Sequence, residues 1–454
     1  MHRHLRLTLA TAVSVALTGG LLAVTAGAAS AATKPAKYPD DFNGDGYRDF
    51  AAFQDTNSPR GGAVKVIFGT AKGPGTKTQV ISQSSPGVPG TGETDDEFGK
   101  RSAAADFNGD GYGDLAVSAP SEDIGQNQNQ GTVTVLWGSK NGLDGGTAVP
   151  NKVAVAPFAT FGVSLAAGDF NGDGRPELAV IGRSRTHIYQ GTFTRQAISE
   201  KVTSPDHPTL WDTGLIAGAV TKNKATDLVV LGFSSDPKVR VSEAWFLKGG
   251  TKITPGKSQR LGADNNVSLN GVIADFNKDG YGDIAVGNPW DANNSGSVTV
   301  WRGGSSGPGT ATRITQSTSG ITGTPGRMDR FGTSLSAGDI DRDGHSDLAF
   351  GAYGETVGGR SFAGALHVLR GGKGGLSGTG SQFITRSTAG VPGSAREDDE
   401  LGVSVRLRDL NGDGHADLLA RSTSSSLLML GGKSGISTQG ITEVAPELID
   451  GSLQ

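Results

Sequence analysis

Ala105 to Pro120 read ADFNGDGYGDLAVSAP. Oxygen-bearing side chains stand at alternate positions of a tight turn (Asp106, Asn108, Asp110, then Asp114), with Gly111 where the backbone must bend and Tyr112 able to offer its main-chain carbonyl. A hard cation such as Ca²⁺ accepts about six to eight oxygens at flexible geometry, and alternate side chains of a loop with glycine at the sixth place converge on one point. A helical calcium hand continues to a bidentate Glu at the twelfth place, but Val117 stands there, inside the apolar run Leu115 to Val117. The loop therefore feeds a β-strand.

The unit recurs as DFNGDGYRD from Asp41, DFNGDGRPE from Asp169, DFNKDGYGD from Asp275, DIDRDGHSD from Asp339 and DLNGDGHAD from Asp409. Places one, three, five, seven (through its carbonyl) and nine are the expected calcium ligands. They are Asp41, Asn43, Asp45, Tyr47 and Asp49; Asp106, Asn108, Asp110, Tyr112 and Asp114; Asp169, Asn171, Asp173, Arg175 and Glu177. The later loops supply Asp275, Asn277, Asp279, Tyr281 and Asp283; Asp339, Asp341, Asp343, His345 and Asp347; Asp409, Asn411, Asp413, His415 and Asp417. A further copy has decayed: aligning the stretch from Leu215 with that from Leu165 puts Ala219 where Asp169 stands and Lys224 where the turn glycine stands. An ammonium of Lys222 or Lys224 is expected to fill the space of the missing ion.

An isolated DxNxDG is also an Asx-rich turn with no metal. Six copies at one structural place, holding 19 of the 45 acidic residues, favour the metal, because carboxylates held so close repel without a cation.

Seven copies at regular spacing predict a repeat architecture. Each unit runs from an apolar strand (Phe161 to Ala167, Phe331 to Ala337, Leu401 to Leu407) through the loop to a second strand, then a polar connection and a third strand such as GTVTVLWG from Gly131. A weaker fourth strand follows. Four antiparallel strands make one blade, and seven blades stacked radially make an all-β propeller. The expected divisions are a signal peptide over 1–31, the propeller over 32–454, and blades over 33–84, 85–156, 157–206, 207–259, 260–317, 318–388 and 389–454. Blade one is irregular, and its closure is expected to involve Thr33 to Asp40, the tail Glu447 to Gln454, or both.

The first 31 residues begin with Arg3 and Arg6, continue through an apolar run, and end in Ala29-Ser30-Ala31, the pattern of a secretory leader cleaved near Ala31 or Ala32. A secreted, extracellular and monomeric protein is expected, with no membrane insertion. There is no cysteine, which excludes disulfides and thiol chemistry, and 41 basic residues against 45 acidic give no support to nucleic-acid binding.

Phe98-Gly99, Phe161-Gly162 and Phe331-Gly332, with Ser118-Ala119-Pro120, Gly287-Asn288-Pro289 and Gly351-Ala352-Tyr353 beyond the loops, resemble the FG-GAP repeats of the integrin α-subunit propeller and its secreted bacterial relatives. Trp211-Asp212 and Val267-Ser268 depart from the FG element. The resemblance implies structural calcium and a binding or adhesion module for an extracellular protein or glycan. It also leaves open a calcium-dependent propeller enzyme, such as a polysaccharide lyase or phospholipase. No catalytic residue is assigned: Ser164 and Ser334 lack the strand-to-helix turn of a nucleophile elbow. Trp137, Trp245 and Trp301 read as blade packing, Trp290 as the tryptophan to consider for ligand contact, and His345 and His415 as outward side chains. Three like connections, from Pro86, Gly320 and Ala389, carry acids (among them Asp95, Asp96, Asp329, Asp398 and Asp399) read as a solvated or ligand-binding rim.

Overall fold

The computed structural model describes residues 34–453 except 56–60, 154–155, 237, 239–240, 264–268 and 445–451. The leader, Val267-Ser268 and most of the tail lie outside the described residues.

Among the described residues the chain forms seven antiparallel sheets in sequence order. Blade 1 has Phe50–Gln54, Ala63–Thr70 and Gly73–Ile81. Blade 2 has Arg101–Ala105, Asp114–Ala119, Thr132–Trp137 and Asp144–Ala148. Blades 3 to 7 repeat the four-stranded order, opening at Leu165–Gly168, Leu210–Gly218, Asn270–Ala274, Phe331–Gly338 and Ser404–Arg408. One short helical turn, Asp291–Asn294, interrupts a connection of blade 5. The fold is an all-β seven-bladed propeller.

From blade 2 to blade 7 the opening strands pack on one another in turn, from Arg101–Ala105 against Leu165–Gly168 round to Phe331–Gly338 against Ser404–Arg408. The apolar core is accordingly divided into clusters lying between adjacent blades. Phe161 and Leu165 meet Val135 and Trp137 between blades 3 and 2, and Phe331 meets Phe276 and Val298 between blades 6 and 5. Phe50 and Ile67 meet Leu410 and Leu419 where blade 7 returns to blade 1. Trp137, Trp245 and Trp301 are all buried in these seams.

The Phe-Gly element is what joins one blade to the last. Phe161 donates its N–H to Gln130 O (3.0 Å) and Phe331 to Ser295 O (3.0 Å), both on the preceding blade. In blade 3 the element faces both ways: Phe161 bonds back to blade 2, while Gly162 donates to Ile181 O (2.8 Å) on the second strand of its own blade, ahead of the strand that starts at Leu165. Gly351, in the second FG-GAP element of blade 6, lies so close to Gly402 of blade 7 that a Cβ on it would stand 1.8 Å from the Gly402 carbonyl oxygen. Gly402 itself has φ 93°, where a side chain is strained. Ser164 and Ser334, set aside as nucleophiles, accept the N–H groups of Leu215 and Val405 on the following blades, each at 3.1 Å.

Closure uses both ends of the chain. Blade 1 lacks an opening strand among the described residues, and Ser452–Leu453 pairs in parallel with Arg101–Ser102 of blade 2. Asp40 is buried between Arg48 of blade 1 (2.8 Å) and Arg408 of blade 7.

Candidate metal centres

Antiparallel order within a blade puts every first-to-second loop at one end of the ring and every blade-to-blade connection at the other. The six acidic loops therefore share an end. Each loop is built from nested turns. In blade 1 Asp41 accepts the N–H groups of Asp45 (3.1 Å) and Gly46 (2.8 Å), Asn43 accepts Asp45 N–H (3.0 Å), and Asp45 accepts Tyr47 N–H (2.9 Å). Blade 2 repeats these bonds at Asp106, Asn108 and Asp110, and blade 5 at Asp275, Asn277 and Asp279. In the last loop Asp409 accepts Gly414 N–H (3.0 Å), Asn411 accepts Asp413 N–H (2.9 Å) and Asp413 accepts His415 N–H (2.8 Å).

The ninth place has a structural duty that the ligand pattern did not reveal. Asp114 spends one oxygen on Phe107 N–H (2.9 Å) and the other on Gly138 N–H (2.8 Å), tying loop to third strand. Asp49 and Asp417 make the same pair of bonds with Phe42 and Gly69, and with Leu410 and Gly431. The decayed loop keeps it: Asp227 accepts Thr221 N–H and hydroxyl (2.7 and 2.8 Å) and Gly249 N–H (2.8 Å). The one signal available in the sequence was Asp227 itself, an acid retained where its loop had lost the others.

Two loops bring carboxylates together: Asp169, Asp173 and Glu177 in blade 3, and Asp339, Asp341 and Asp347 in blade 6, with one oxygen of each within 4.8 Å of the others. Burial pushes Asp114 up to about 8 and Glu177 up to about 7, and the neighbouring loop acids push the same way. Asp339 Oδ1 is buried with no hydrogen-bond partner. An orphaned carboxylate oxygen facing two further carboxylates is a donor set for a hard cation, so these residues fit calcium. In blade 6 Arg370 already supplies part of the counter-charge, 2.6 Å from Asp341 and 3.4 Å from Asp347.

Several expected positions are corrected. Lys222 does not fill its own loop: its ammonium bonds Asp279 O on blade 5 and lies 4.3 Å over the Tyr281 ring. His345 and His415 are not outward: His345 Nδ1 is 3.1 Å from Asp343, and His415 Nδ1 is 2.7 Å from Ile340 O on blade 6. Trp290 is no open platform, since the Arg330 guanidinium covers its ring at 3.6 Å. Of the rim acids, Asp95 and Asp398 are exposed, whereas Asp96, Asp329 and Asp399 are only 2%, 4% and 4% exposed.

The FG-GAP repeat family matches residues 98–136, 161–183, 270–301 and 331–369, within blades 2, 3, 5 and 6. Phosphatidylinositol-glycan-specific phospholipase D of Rattus norvegicus is 31% identical over 144 residues, which is 31% of this chain and 17% of that protein. Integrin alpha-5 of Xenopus laevis is 38% identical over 92 residues, 20% of this chain and 8% of that protein. The alignments thus span less than a fifth of these relatives' length. A solved Agrocybe aegerita lectin, described as recognising non-reducing terminal N-acetylglucosamine, overlays with TM-score 0.48 at 15% identity, covering 92% of this chain and 94% of its own. The repeats match in sequence in four of the seven blades and the sheets close in a ring, so this chain carries FG-GAP repeats within a seven-bladed β-propeller.

Proposed function

We propose that the protein is a secreted, calcium-stabilised binding module whose ligand is an extracellular protein or a glycan. The observation that carries the reading is the division of the ring into two ends. Carboxylates converge in the loops at one end, as at Asp169, Asp173 and Glu177. The connections at the other end leave Glu93, Asp95, Glu397 and Asp398 exposed beside the buried Asp96 and Asp399, the former accepting Glu93 N–H and the latter paired with Arg386. Stiff loops presented by a rigid scaffold are the usual platform for recognition. The leader pattern supports secretion, and the shared repeats with integrin α chains support a binding role. No helix among the described residues is long and apolar enough to cross a membrane.

The reading is tested on glycan and extracellular-protein arrays with calcium and with EDTA. Binding that needs calcium and weakens in Asp95→Asn/Asp398→Asn supports it; binding indifferent to those substitutions moves the ligand to another surface. The alignment with the phospholipase favours a second reading, an enzyme acting on phosphatidylinositol-glycan. Calcium-dependent hydrolysis of phosphatidylinositol-glycan in vesicles would establish that reading over the first.

A further inference from the structure

Three stretches of equal length lead into blades 2, 6 and 7: residues 81–99, 314–332 and 384–402. They fold alike. Ser85, Thr318 and Thr388 donate to Ser82, Thr315 and Thr385 carbonyls at 3.0, 2.9 and 3.0 Å, and the residues flanking the buried Asp have positive φ in all three. Three side chains from separate segments meet in each: Gln83 bonds Glu122, on which the Asp96 charge acts; Gln316 bonds Glu355 and Asp329; and Arg386 bonds Asp399 and Ser425. In the first copy they are Gln83, Asp96 and Glu122; in the second, Gln316, Asp329 and Glu355; in the third, Arg386, Asp399 and Ser425.

The first two copies bury two carboxylates beside an amide. Gln83 Nε2 donates to Glu122 Oε2 at 2.6 Å, and Gln316 Nε2 to Glu355 Oε2 at 2.8 Å. Asp96 accepts Glu93 N–H at 2.6 Å, and Asp329 accepts Gly326 N–H. All six side chains belong to buried residues. In both copies the other amide atom, Gln83 Oε1 or Gln316 Oε1, is buried with no partner. It is bonded to the same carbon as the nitrogen on the glutamate, so it lies at the edge of the acidic pair.

The third copy shows what that arrangement lacks. Arg386 stands at the glutamine's place and Ser425 at the glutamate's, and the guanidinium fills the space between. Its Nε lies 3.0 Å from Asp399 Oδ2, and its Nη2 donates to Ser422 Oγ (3.1 Å) and Ser425 Oγ (2.7 Å). The two substitutions act together: one adds a positive charge, the other removes a negative charge and makes room. Within the triad two formal negative charges become none, Glu443 adds a carboxylate from outside it at 3.3 Å from Arg386 Nη1, and Arg386 leaves no orphaned atom.

We infer that Gln83/Asp96/Glu122 and Gln316/Asp329/Glu355 are two interior calcium sites at the end of the ring opposite the acidic loops, filled in the third copy by the chain's own arginine. Two carboxylates and an amide oxygen are hard donors of the kind calcium takes. A half-turn of the amide brings its oxygen toward the ion and gives up the bond to the glutamate, whose oxygen the ion then satisfies. Buried carboxylates paired in this way call for a counter-charge.

The test is a count of bound calcium by native mass spectrometry on three full-length proteins. These are the parent, a variant carrying Gln83→Arg, Glu122→Ser, Gln316→Arg and Glu355→Ser, and an isosteric variant carrying Glu122→Gln and Glu355→Gln. The parent is expected to hold two more calcium ions than either variant, and the arginine variant to melt higher than the parent in EDTA. Equal counts in the parent and a folded variant would overturn the inference and leave a shared proton between the carboxyl groups. Should the arginine variant fail to fold, the isosteric variant decides the count. The loops are untouched in all three, so their occupancy cancels in the difference.

Discussion

Lys278 Nζ donates to the main-chain carbonyl oxygen of Asp343, 2.7 Å away on the next blade. Arg342 reaches Asp413 O at 3.0 Å in the same way, and Lys222 reaches Asp279 O. All three cations stand at the fourth place of their loops, so a row of clasps runs from blade 4 to blade 7. Blade 4 has lost every loop acid but Asp227 and kept its clasp. At this place other loops carry glycine with positive φ, as at Gly44 and Gly412, and Lys278 and Arg342 hold the same conformation at φ 57° and 62°. Backbone strain of about 1 kcal/mol is thereby offset by a charged hydrogen bond.

Lys278→Ala keeps the strained backbone and loses the clasp, whereas Lys278→Gly loses the clasp and the strain together. Urea denaturation should show Ala costing about 1 kcal/mol and Gly within about 0.5 kcal/mol of the parent. A glycine variant less stable than the alanine variant would show that φ at this place is not the opposing term.

Arg386 and Asp399 form a buried pair, and removing one partner strands the other. Arg386→Met should cost about 3 to 5 kcal/mol, while Asp398→Asn, one residue from the pair but exposed, should stay within about 0.5 kcal/mol. Equal effects in thermal melts would return Asp399 to the solvated rim.

His367 is fully buried among Phe331, Phe350 and Phe383, with neither ring nitrogen partnered. Burial pushes its pKa down to about 3. The unfolded chain takes up a proton below about 6.5 that the folded ring refuses, so the stability held by the neutral ring is intact above that pH and falls away toward 3. At pH 5 the loss is about 2 kcal/mol. Stability measured at pH 7 and pH 5 should drop more in the parent than in His367→Leu, and an equal drop would mean the ring protonates while folded.

The sequence made the ring legible because its repeated loop fixes where each blade turns, and the glycines of the FG-GAP elements mark where blades touch. It hid the structural duty of place nine, since an aspartate accepting two backbone N–H groups is spelled like a metal ligand. Only Asp227, kept in a loop without its partners, hinted otherwise. The burial of Asp96 and Asp399 was illegible for a different reason: Asp96 turns inward onto a backbone N–H of its own loop and Asp399 onto side chains 13 and 25 residues away, so composition alone reads both as rim charge. Closure was open for the same cause, as Ser452 meets Arg101 from the far end of the chain.

Thr221 is buried, and its hydroxyl holds Asp227 at 2.8 Å. Thr221→Ala should therefore cost about 1 to 2 kcal/mol and no calcium, whereas Asp110→Ala should remove one ion. Native mass spectra of the two variants separate a loop that binds metal from one that has kept only its scaffold.

The central claim is that calcium in the acidic loops holds the ring together, and a thermal melt with and without the ion tests it most directly. Sites with dissociation constants of about 10⁻⁴ to 10⁻³ M contribute about 1.4 kcal/mol each at tenfold excess calcium, or about 8 kcal/mol over the six loops. For a propeller of this size that corresponds to about 10 °C. Scanning calorimetry in millimolar calcium and in EDTA should show a fall of that order on chelation, and coincident melts would contradict the account.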